Sequence, residues 1–177
     1  MKIYLIHGWG GSSQGGWFNW LKEKLKGKAE IITWDMPETE TPKIEKWVGF
    51  LEKNANPDKE TYFIGHSVGC QTIMRYLERI NKKIKGVVFV AGWFNLKGLE
   101  PEEMGIAKPW IETRIDIDKV KSNCNNFLAI FSNDDPYVPL SDAELFKERL
   151  NARIVIKKNQ EHFNNVTEIK EILEFLR

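Results

Sequence analysis

The stretch Tyr62-Phe63-Ile64-Gly65-His66-Ser67-Val68-Gly69 decides the fold, because a short apolar run leads into a tight turn built around one serine. Apolar residues then recur at helical spacing from Thr72 to Ile80. A strand, a Gly-x-Ser-x-Gly turn and a helix in this order are typical of a nucleophile elbow, in which the glycines relieve crowding around the serine. The stretch therefore predicts a reactive Ser67 raised above one edge of a sheet.

Strand-like and helix-like segments alternate along the chain. The predicted strands are rich in Ile, Val and Phe, as strands buried on both faces are, and cover residues 2–7, 30–34, 61–65, 85–91, 126–132 and 152–157. Helical faces lie between or after them, at Trp17, Trp20, Leu21 and Leu25, at Ile44, Trp47, Val48 and Leu51, and at Val166, Ile169, Ile172, Leu173 and Leu176. The alternation predicts a three-layer α/β/α sandwich with a mostly parallel sheet of about six strands, in the order 2-1-3-4-5-6.

One segment departs from this alternation of strands and helices. Residues 92–125 contain Trp93, Phe94, Trp110 and two prolines, with only weak periodicity. We predict an irregular loop region near the functional site, because loops of this length in compact domains are often functional.

The composition argues against several classes of protein. The 26 basic and 25 acidic side chains are spread along the 177 residues, so no basic patch favours nucleic acid or an anionic membrane. No apolar run is long enough for a bilayer, and the N-terminal stretch, which opens on a strand, lacks a signal-peptide core. Cys70 and Cys124 are too few for a disulfide framework and are interpreted as reduced thiols. We therefore predict a cytoplasmic protein.

An activated serine needs a base, and the chain has only three histidines. His66 is adjacent to Ser67, so its side chain must point away from it, and His7 ends the first predicted strand. His162 follows the last strand, and loops that follow parallel strands gather at one edge of a sheet. We predict that His162 is the base, the alternative being a solvated loop histidine.

The orienting acid is expected after an intermediate strand, in the chain order Ser, Asp, His. Asp134 and Asp135 both follow the fifth predicted strand. We favour Asp135, because Pro136 and Pro139 stiffen the loop behind it, and Asp134 is the competing candidate, whose other role would be a turn or helix cap. Asp35 stands too early in the chain.

An oxyanion intermediate needs backbone N–H donors. We predict that one belongs to Val68, the residue after the nucleophile at a helix N-terminus, and the second to Trp9, in the glycine-rich loop His7–Gly11. The predicted strand order reverses direction between the first and third strands. The loops 8–11 and 65–69 flank that switch point, where open α/β sheets bind ligands.

Taken together, the motifs resemble a known family. They are His7-Gly8-Trp9-Gly10-Gly11-Ser12-Ser13 with Trp17 and Trp20, Trp34-Asp35-Met36-Pro37, Gly65-His66-Ser67-Val68-Gly69-Cys70, Ala91-Gly92, Asp134-Asp135-Pro136 and His162-Phe163. The pattern is similar to the small serine hydrolases grouped with YdeN and retinoblastoma-binding protein nine. The resemblance runs nearly the whole chain and implies a single minimal α/β-hydrolase domain over residues 1–177, without a large cap. It implies a Ser-Asp-His triad of Ser67, Asp135 and His162. Gln160-Glu161 is a departure, since many relatives place a glycine before the histidine.

Several residues are predicted to contact a substrate because they lie on loops near Ser67. Trp17, Trp20 and Trp47 follow helix faces and are assigned to the core, whereas Trp93 and Trp110 are equally compatible with core and pocket. The predicted substrate-binding residues are His7, Gly8, Trp93, Trp110 and Phe163.

Alternative site chemistries fit the sequence less well. Gly8-x-Gly10 after a strand, with Asp35 further on, resembles a dinucleotide fingerprint, but Ser13 occupies the position of its third glycine. The histidines stand singly, without metal-ligand spacing, so no metal and no cofactor are expected. Cys70 is interpreted as a small buried hydrophobe rather than a second nucleophile.

The sequence thus predicts a serine hydrolase that forms an acyl-enzyme from a small-molecule acyl substrate, an ester, thioester or amide. Carboxylesterase activity on short acyl groups is favoured. The competing hypothesis is a protein-interaction module on the same fold, with vestigial or secondary catalysis. A monomer or weak homodimer is expected.

Overall fold

The computed structural model describes residues 1–177 and contains one six-stranded sheet. Its strands are β1 (Lys2–Ile6), β2 (Glu30–Thr33), β3 (Thr61–His66), β4 (Gly86–Val90), β5 (Phe127–Ser132) and β6 (Arg153–Lys157). They lie in the order β2-β1-β3-β4-β5-β6, and all neighbouring strands are parallel. The predicted α/β fold and strand order are therefore confirmed, with each strand end within one residue of its predicted position.

Seven helices cover the two faces of this sheet. They are α1 (Gly16–Leu25), α2 (Ile44–Asn54), α3 (Val68–Arg79), α4 (Pro101–Glu112), α5 (Ile117–Asn123), α6 (Asp142–Leu150) and α7 (Lys170–Phe175). Successive residues of β3 point to opposite faces of the sheet and so show its two helical layers. The Phe63 ring packs on Tyr76 of α3, whereas the Tyr62 ring packs on Phe175 of α7. None of these helices is both long and apolar enough to cross a membrane.

The inner and edge strands differ in burial. Every residue of β3, β4 and β5 is buried, and so is β1 after its first residue. β2 and β6 have a neighbour on one side only, and their residues are half-buried or exposed. The expectation that all strands are buried on both faces is therefore correct for the four inner strands and wrong for the two edges.

Residues 92–125 are not an irregular loop, because they contain both α4 and α5. The helical signal of α4 is weak in the sequence because Gly105 and Pro109 lie inside the helix. Pro101 is tolerated at the first helical position, where an N–H has no helical acceptor. The side chains and backbone of Glu100 and Glu103 form a reciprocal capping box, which is the sequence signal that marks where α4 begins.

Candidate active site

Ser67 lies in the sharp turn between β3 and α3, at the centre of the sheet edge. Its backbone has φ 51° and ψ −120°, a conformation that residues with a Cβ rarely adopt. The Ser67 N–H donates to the carbonyl of Val90 on the neighbouring strand, at 3.0 Å, which ties the turn to the sheet. This geometry raises the serine side chain above the strand ends, as the elbow motif predicts.

The glycines on both sides of Ser67 are required by close backbone contacts. A Cβ on Gly69 would lie 2.4 Å from the carbonyl oxygen of Ile6, so β1 could not approach the elbow. A Cβ on Gly65 would lie 2.8 Å from both the backbone nitrogen of Cys70 and Cδ1 of Ile73. Both positions therefore exclude a side chain for steric reasons.

His162 and Asp135 form a buried hydrogen-bonded pair at the same sheet edge. The Nδ1 atom of His162 donates to Oδ2 of Asp135 at 2.8 Å, and the two residues are only 8% and 3% exposed. The other carboxylate oxygen, Oδ1, accepts the N–H groups of Tyr137 and Val138 at 2.9 and 3.0 Å. Asp135 is thus held by its own loop in an orientation that leaves Nε2 of His162 free.

Asp134, the competing acid, points to a different partner. Its Oδ1 accepts the hydroxyl of Ser132 at 2.5 Å and the N–H of Glu161 at 2.9 Å, and the Ser132 bond is the main reason that its pKa is lowered. Asp134 therefore connects the loop after β5 to the loop after β6 and makes no contact with the His162 ring.

The loop that carries His162 is held by three consecutive side chains of the β5 loop. Ser132, Asn133 and Asp134 accept the N–H groups of residues 160, 159 and 161 respectively. Asn159, Glu161 and Phe163 have positive φ values of 55°, 47° and 61°. Glu161, directly before His162, thus has a left-handed conformation that glycine adopts more readily, and the hydrogen bonds across the two loops offset its strain.

The side chain of His66 points away from Ser67, as the sequence predicts, and forms a hydrogen bond with the backbone of His162. Its Nε2 donates to the backbone carbonyl of His162 at 2.7 Å. Burial lowers the pKa of His66 to about 3, so the ring is neutral and the proton on Nε2 is the one that makes this bond.

His7 is buried between two loops. Its Nδ1 donates to the carbonyl of Gly8 at 2.7 Å and its Nε2 accepts the N–H of Met36 at 2.9 Å. Both ring nitrogens are used, and burial lowers the pKa of this histidine too. The ring of His7 therefore connects the loops after β1 and β2, and it also borders a cavity of about 270 Å³ with Gly8 and Phe163, so its assignment to substrate binding stays a prediction.

The two predicted oxyanion donors both border the space around Ser67. Val68 is the first residue of α3, so its N–H has no acceptor within the helix. The backbone N–H of Trp9 makes no hydrogen bond within the protein, whereas the indole N–H of the same residue donates to the carbonyl of Glu40 at 2.9 Å. That indole bond holds the Trp9 loop against the loop after β2.

Ser67 and His162 line a cleft of about 280 Å³. Trp9 and Val68 form part of its wall, and further side chains come from the region between β4 and β5: Trp93, Leu96, Leu99 and Glu103. Leu96, Leu99 and Glu103 were not predicted. The Glu100-x-x-Glu103 capping box is the sequence signal that could have located the start of α4 and with it Glu103, whereas no comparable signal marks the two leucines.

Of the predicted substrate-binding residues, Trp93 alone lines this cleft. Trp110 is buried in the core, where its indole N–H donates to the carbonyl of Pro42, and Phe163 is 1% exposed. Gly8 packs its backbone beside the serine, since a Cβ there would lie 3.1 Å from Cβ of Ser67. Assigning Trp110 to this pocket is therefore wrong, because its ring does not line the cleft. Phe163 borders, with His7 and Gly8, an adjoining cavity of about 270 Å³ that shares Trp9 and His66 with the cleft, so its assignment stays a prediction.

Neither cysteine is suited to be a nucleophile. Cys70 is buried on α3 and its thiol donates to the carbonyl of Val90. Burial raises the pKa of the Cys70 thiol far above its ordinary value and that of Cys124 to about 11. No group of three or more His, Cys, Asp or Glu side chains is arranged to hold a metal ion.

A parallel sheet in this order, with a serine at the sharp turn after its third strand, defines the class of the protein as an α/β hydrolase. Within that class, the chain belongs to the Serine hydrolase family, which it matches over residues 3–172. Sequence and structure comparisons therefore agree with the resemblance inferred from the motifs.

Two relatives illustrate the family. The serine hydrolase RBBP9 of Rattus norvegicus is 27% identical over 182 residues, covering 99% of this chain and 94% of the relative. YdeN of Bacillus subtilis is 30% identical over 168 residues, covering 92% and 85%.

Solved structures show the same fold. The ydeN gene product of B. subtilis superposes with a TM-score of 0.85, covering 99% of this chain and 96% of that chain, with 24% identity. Est1E of Butyrivibrio proteoclasticus, solved with bound ferulic acid, superposes with a TM-score of 0.73 and 17% identity, covering 99% and 86%.

Proposed function

We propose that this serine hydrolase is a carboxylesterase that cleaves small esters through an acyl-enzyme on Ser67. The hydrogen bond between Asp135 and His162 carries the proposal, because it orients Nε2 of that histidine beside a cleft that Ser67 also lines. A base held in this tautomer can take the serine proton and later give it to the leaving group.

Each chemical step has a group suited to it. Ser67 Oγ attacks the ester carbonyl while His162 accepts its proton, and Asp135 stabilises the charged imidazole. The N–H groups of Trp9 and Val68 then stabilise the tetrahedral oxyanion, each contributing about 10²–10³ in rate. The C–O bond breaks as His162 protonates the leaving alcohol. Water, deprotonated by the same histidine, releases the acid and regenerates Ser67.

The dimensions and walls of the cleft favour short acyl groups. Its volume of about 280 Å³ is at the lower end for a ligand pocket, and Trp93, Leu96 and Leu99 give it an apolar side. Pf2001 of Pyrococcus furiosus, which is named an esterase, shares the fold, which is consistent with ester substrates. Thioesters and amides present the same carbonyl and are weaker candidates.

A fluorophosphonate probe tests the activated serine directly. We expect rapid labelling of the wild type and none of Ser67→Ala, with both proteins equally folded by circular dichroism. 4-Nitrophenyl esters from acetate to octanoate then test the acyl preference, which should fall as the chain lengthens. A folded wild type that resists the probe would refute the proposal and favour an interaction module without catalysis.

A further inference from the structure

A second cavity, of about 820 Å³, lies away from Ser67 and shares no lining residue with its cleft. It lies between α3, the turn that joins α4 to α5, and the end of α6. Gln71 and Arg75 of α3 line it, together with Phe94, Trp110 and Arg149. Its size is sufficient for a drug-sized small molecule.

The guanidinium of Arg75 is buried and forms no salt bridge, and the nearest carboxylates, Glu78 and Glu45, act on it only at a distance, where they raise its pKa against the larger effect of burial. The residue is 1% exposed, and its Nη2 donates to the carbonyls of Trp110 and Thr113 at 2.8 and 2.7 Å. Its Nε has no acceptor, its Nη1 makes no hydrogen bond within the protein, and no carboxylate forms an ion pair with it. A buried charge in this state is costly unless an anion neutralises it.

A second polar group beside the cavity is also incompletely bonded. Gln71, one helical turn before Arg75, is 1% exposed and donates from Nε2 to the carbonyl of Trp93 at 2.6 Å. Its Oε1 is buried and receives no hydrogen bond, so it is available to a donor on a ligand. Arg149 stacks its guanidinium over the Phe94 ring at 4.5 Å, and with Arg114 it brings the number of arginines that line the cavity to three.

The acidic residues around the cavity limit the kind of anion that fits. Glu78 accepts the N–H of Asp116, Asp116 caps α5 through Lys119, and Glu112 is paired with Lys108. Asp118 is an exposed carboxylate on the same rim. These four carboxylates repel a polyanion such as nucleic acid much more strongly than a ligand with one oxyanion, whose single charge lies at Arg75.

We propose that this cavity binds a small organic anion. A carboxylate or phosphate oxygen accepts from Nη1 of Arg75, and the apolar part of the ligand lies against the partly buried side chains of Ile111 and Ile117, since Arg149 and Arg75 already stack on the rings of Phe94 and Trp110. Both oxyanions satisfy the same donor, so the experiment distinguishes them.

Benzoate, phenyl phosphate and neutral benzamide are matched probes for this site. In ¹H–¹⁵N spectra of the full chain at constant ionic strength, we expect a saturable shift of the Arg75 Nε–H signal with an anion and none with benzamide. Saturation by benzoate alone would assign a carboxylate ligand, and saturation by phenyl phosphate alone would assign a phosphate ester. If both anions saturate the signal, the site recognises the shared oxyanion.

Variants locate the binding, with each Kd taken from the backbone amide shifts of residues that line the cavity, because Arg75→Gln lacks the Arg75 Nε–H signal. Arg75→Gln should weaken the Kd at least about tenfold, because it removes a charge-assisted hydrogen bond. Arg149→Gln, at an exposed position, should weaken it about threefold. Arg153→Gln, an exposed arginine on β6, is the control and should bind like the wild type.

Two results would overturn the proposal. One is the absence of a saturable Arg75 shift with either anion. The other is an unchanged Kd in Arg149→Gln together with an unchanged Kd in Arg75→Gln, which would place the anion elsewhere, for instance in the Ser67 cleft. If Arg75→Gln fails to fold, the wild-type Arg75 signal and Arg149→Gln still decide the question.

Discussion

Ser67 combines a reactive position with an unfavourable backbone. Its φ of 51° with ψ of −120° belongs to a region that glycine occupies readily and that costs other residues about 1–3 kcal/mol. The β3 strand before it, the α3 helix after it and the bond to Val90 impose this conformation. The turn therefore lowers stability in order to expose the hydroxyl.

Replacing the serine by glycine measures that strain. Ser67→Gly should have a free energy of unfolding about 1 kcal/mol higher than Ser67→Ala, because alanine keeps the Cβ and glycine does not, even after glycine's greater unfolded-state entropy. Urea denaturation of the two variants gives the difference. An alanine variant as stable as the glycine variant would show that the turn is unstrained.

Two adjacent aspartates have different roles that conservative substitutions separate. Asp135→Asn should lower kcat about 10³–10⁴-fold, because an amide cannot hold His162 in the same tautomer and charge state. Asp134→Asn should change kcat less than about threefold, since its Oδ1 can still accept from Ser132 and Glu161. Hydrolysis of 4-nitrophenyl acetate provides the comparison, and the opposite ranking would mean that Asp134 orients the base.

The segment that leads into α4 forms part of the wall of the cleft. Leu99 precedes the capping box that starts this helix and lines the cleft together with Ser67, whereas Met104, within the helix, is exposed. The dimensions of the acyl site therefore depend on a short element outside the central sheet.

Removing the Leu99 side chain from this wall should change the preference for acyl chain length. Leu99→Ala should raise kcat/KM for octanoate relative to butyrate about five- to tenfold, because removing a large apolar side chain opens room for several methylenes. Met104→Ala, on the solvent side of α4, should leave the ratio unchanged. If both variants behave alike, Leu99 does not limit the length of the acyl chain.

These elements also show why sequence reasoning succeeded for some side chains and not others. β3, the elbow and the order of Ser67, Asp135 and His162 were accessible because local pattern and chain order constrain them strongly. Trp110 was misassigned because a position on a predicted loop does not indicate whether a ring turns to the core or to the cleft. Tertiary packing decides the direction of the ring, since the indole N–H of Trp110 donates a hydrogen bond to the carbonyl of Pro42, which is distant in the sequence.

The missed helix has a similar explanation. α4 contains Gly105 and Pro109, which reduce its intrinsic helical tendency, and it is stabilised instead by its capping box and by burial of Ala107 and Trp110. Periodicity alone could not separate such a helix from a loop.

Stability of the complete fold should decrease in acid because of buried neutral histidines. The pKa of His66 is about 3 in the folded protein and about 6.5 when unfolded, so between these values the unfolded chain binds one more proton. Stability therefore falls as pH decreases through that window, by about 2 kcal/mol between pH 6.5 and 5 for this residue. The lowered pKa of His7 adds a change of the same sign.

A variant can isolate the contribution of His66. His66→Gln keeps a side-chain N–H donor but does not titrate, so the difference in unfolding free energy between pH 7 and 5 should shrink by about 2 kcal/mol. Ile73→Val, a buried substitution that costs about 1 kcal/mol, is the control and should keep the wild-type pH dependence. Equal pH dependence in His66→Gln and the wild type would mean that His66 is not buried as a neutral ring.

The two native thiols are buried and protonated, which makes the surface of this protein free of reactive sulfur. A cysteine introduced on the exposed side of α4, for example at Met104, would then be the single position that a maleimide dye modifies. Fluorescence from that dye could follow movement of the cleft wall during turnover. Because Cys70 and Cys124 need not be replaced first, α3, the helix that begins directly after Ser67, stays undisturbed.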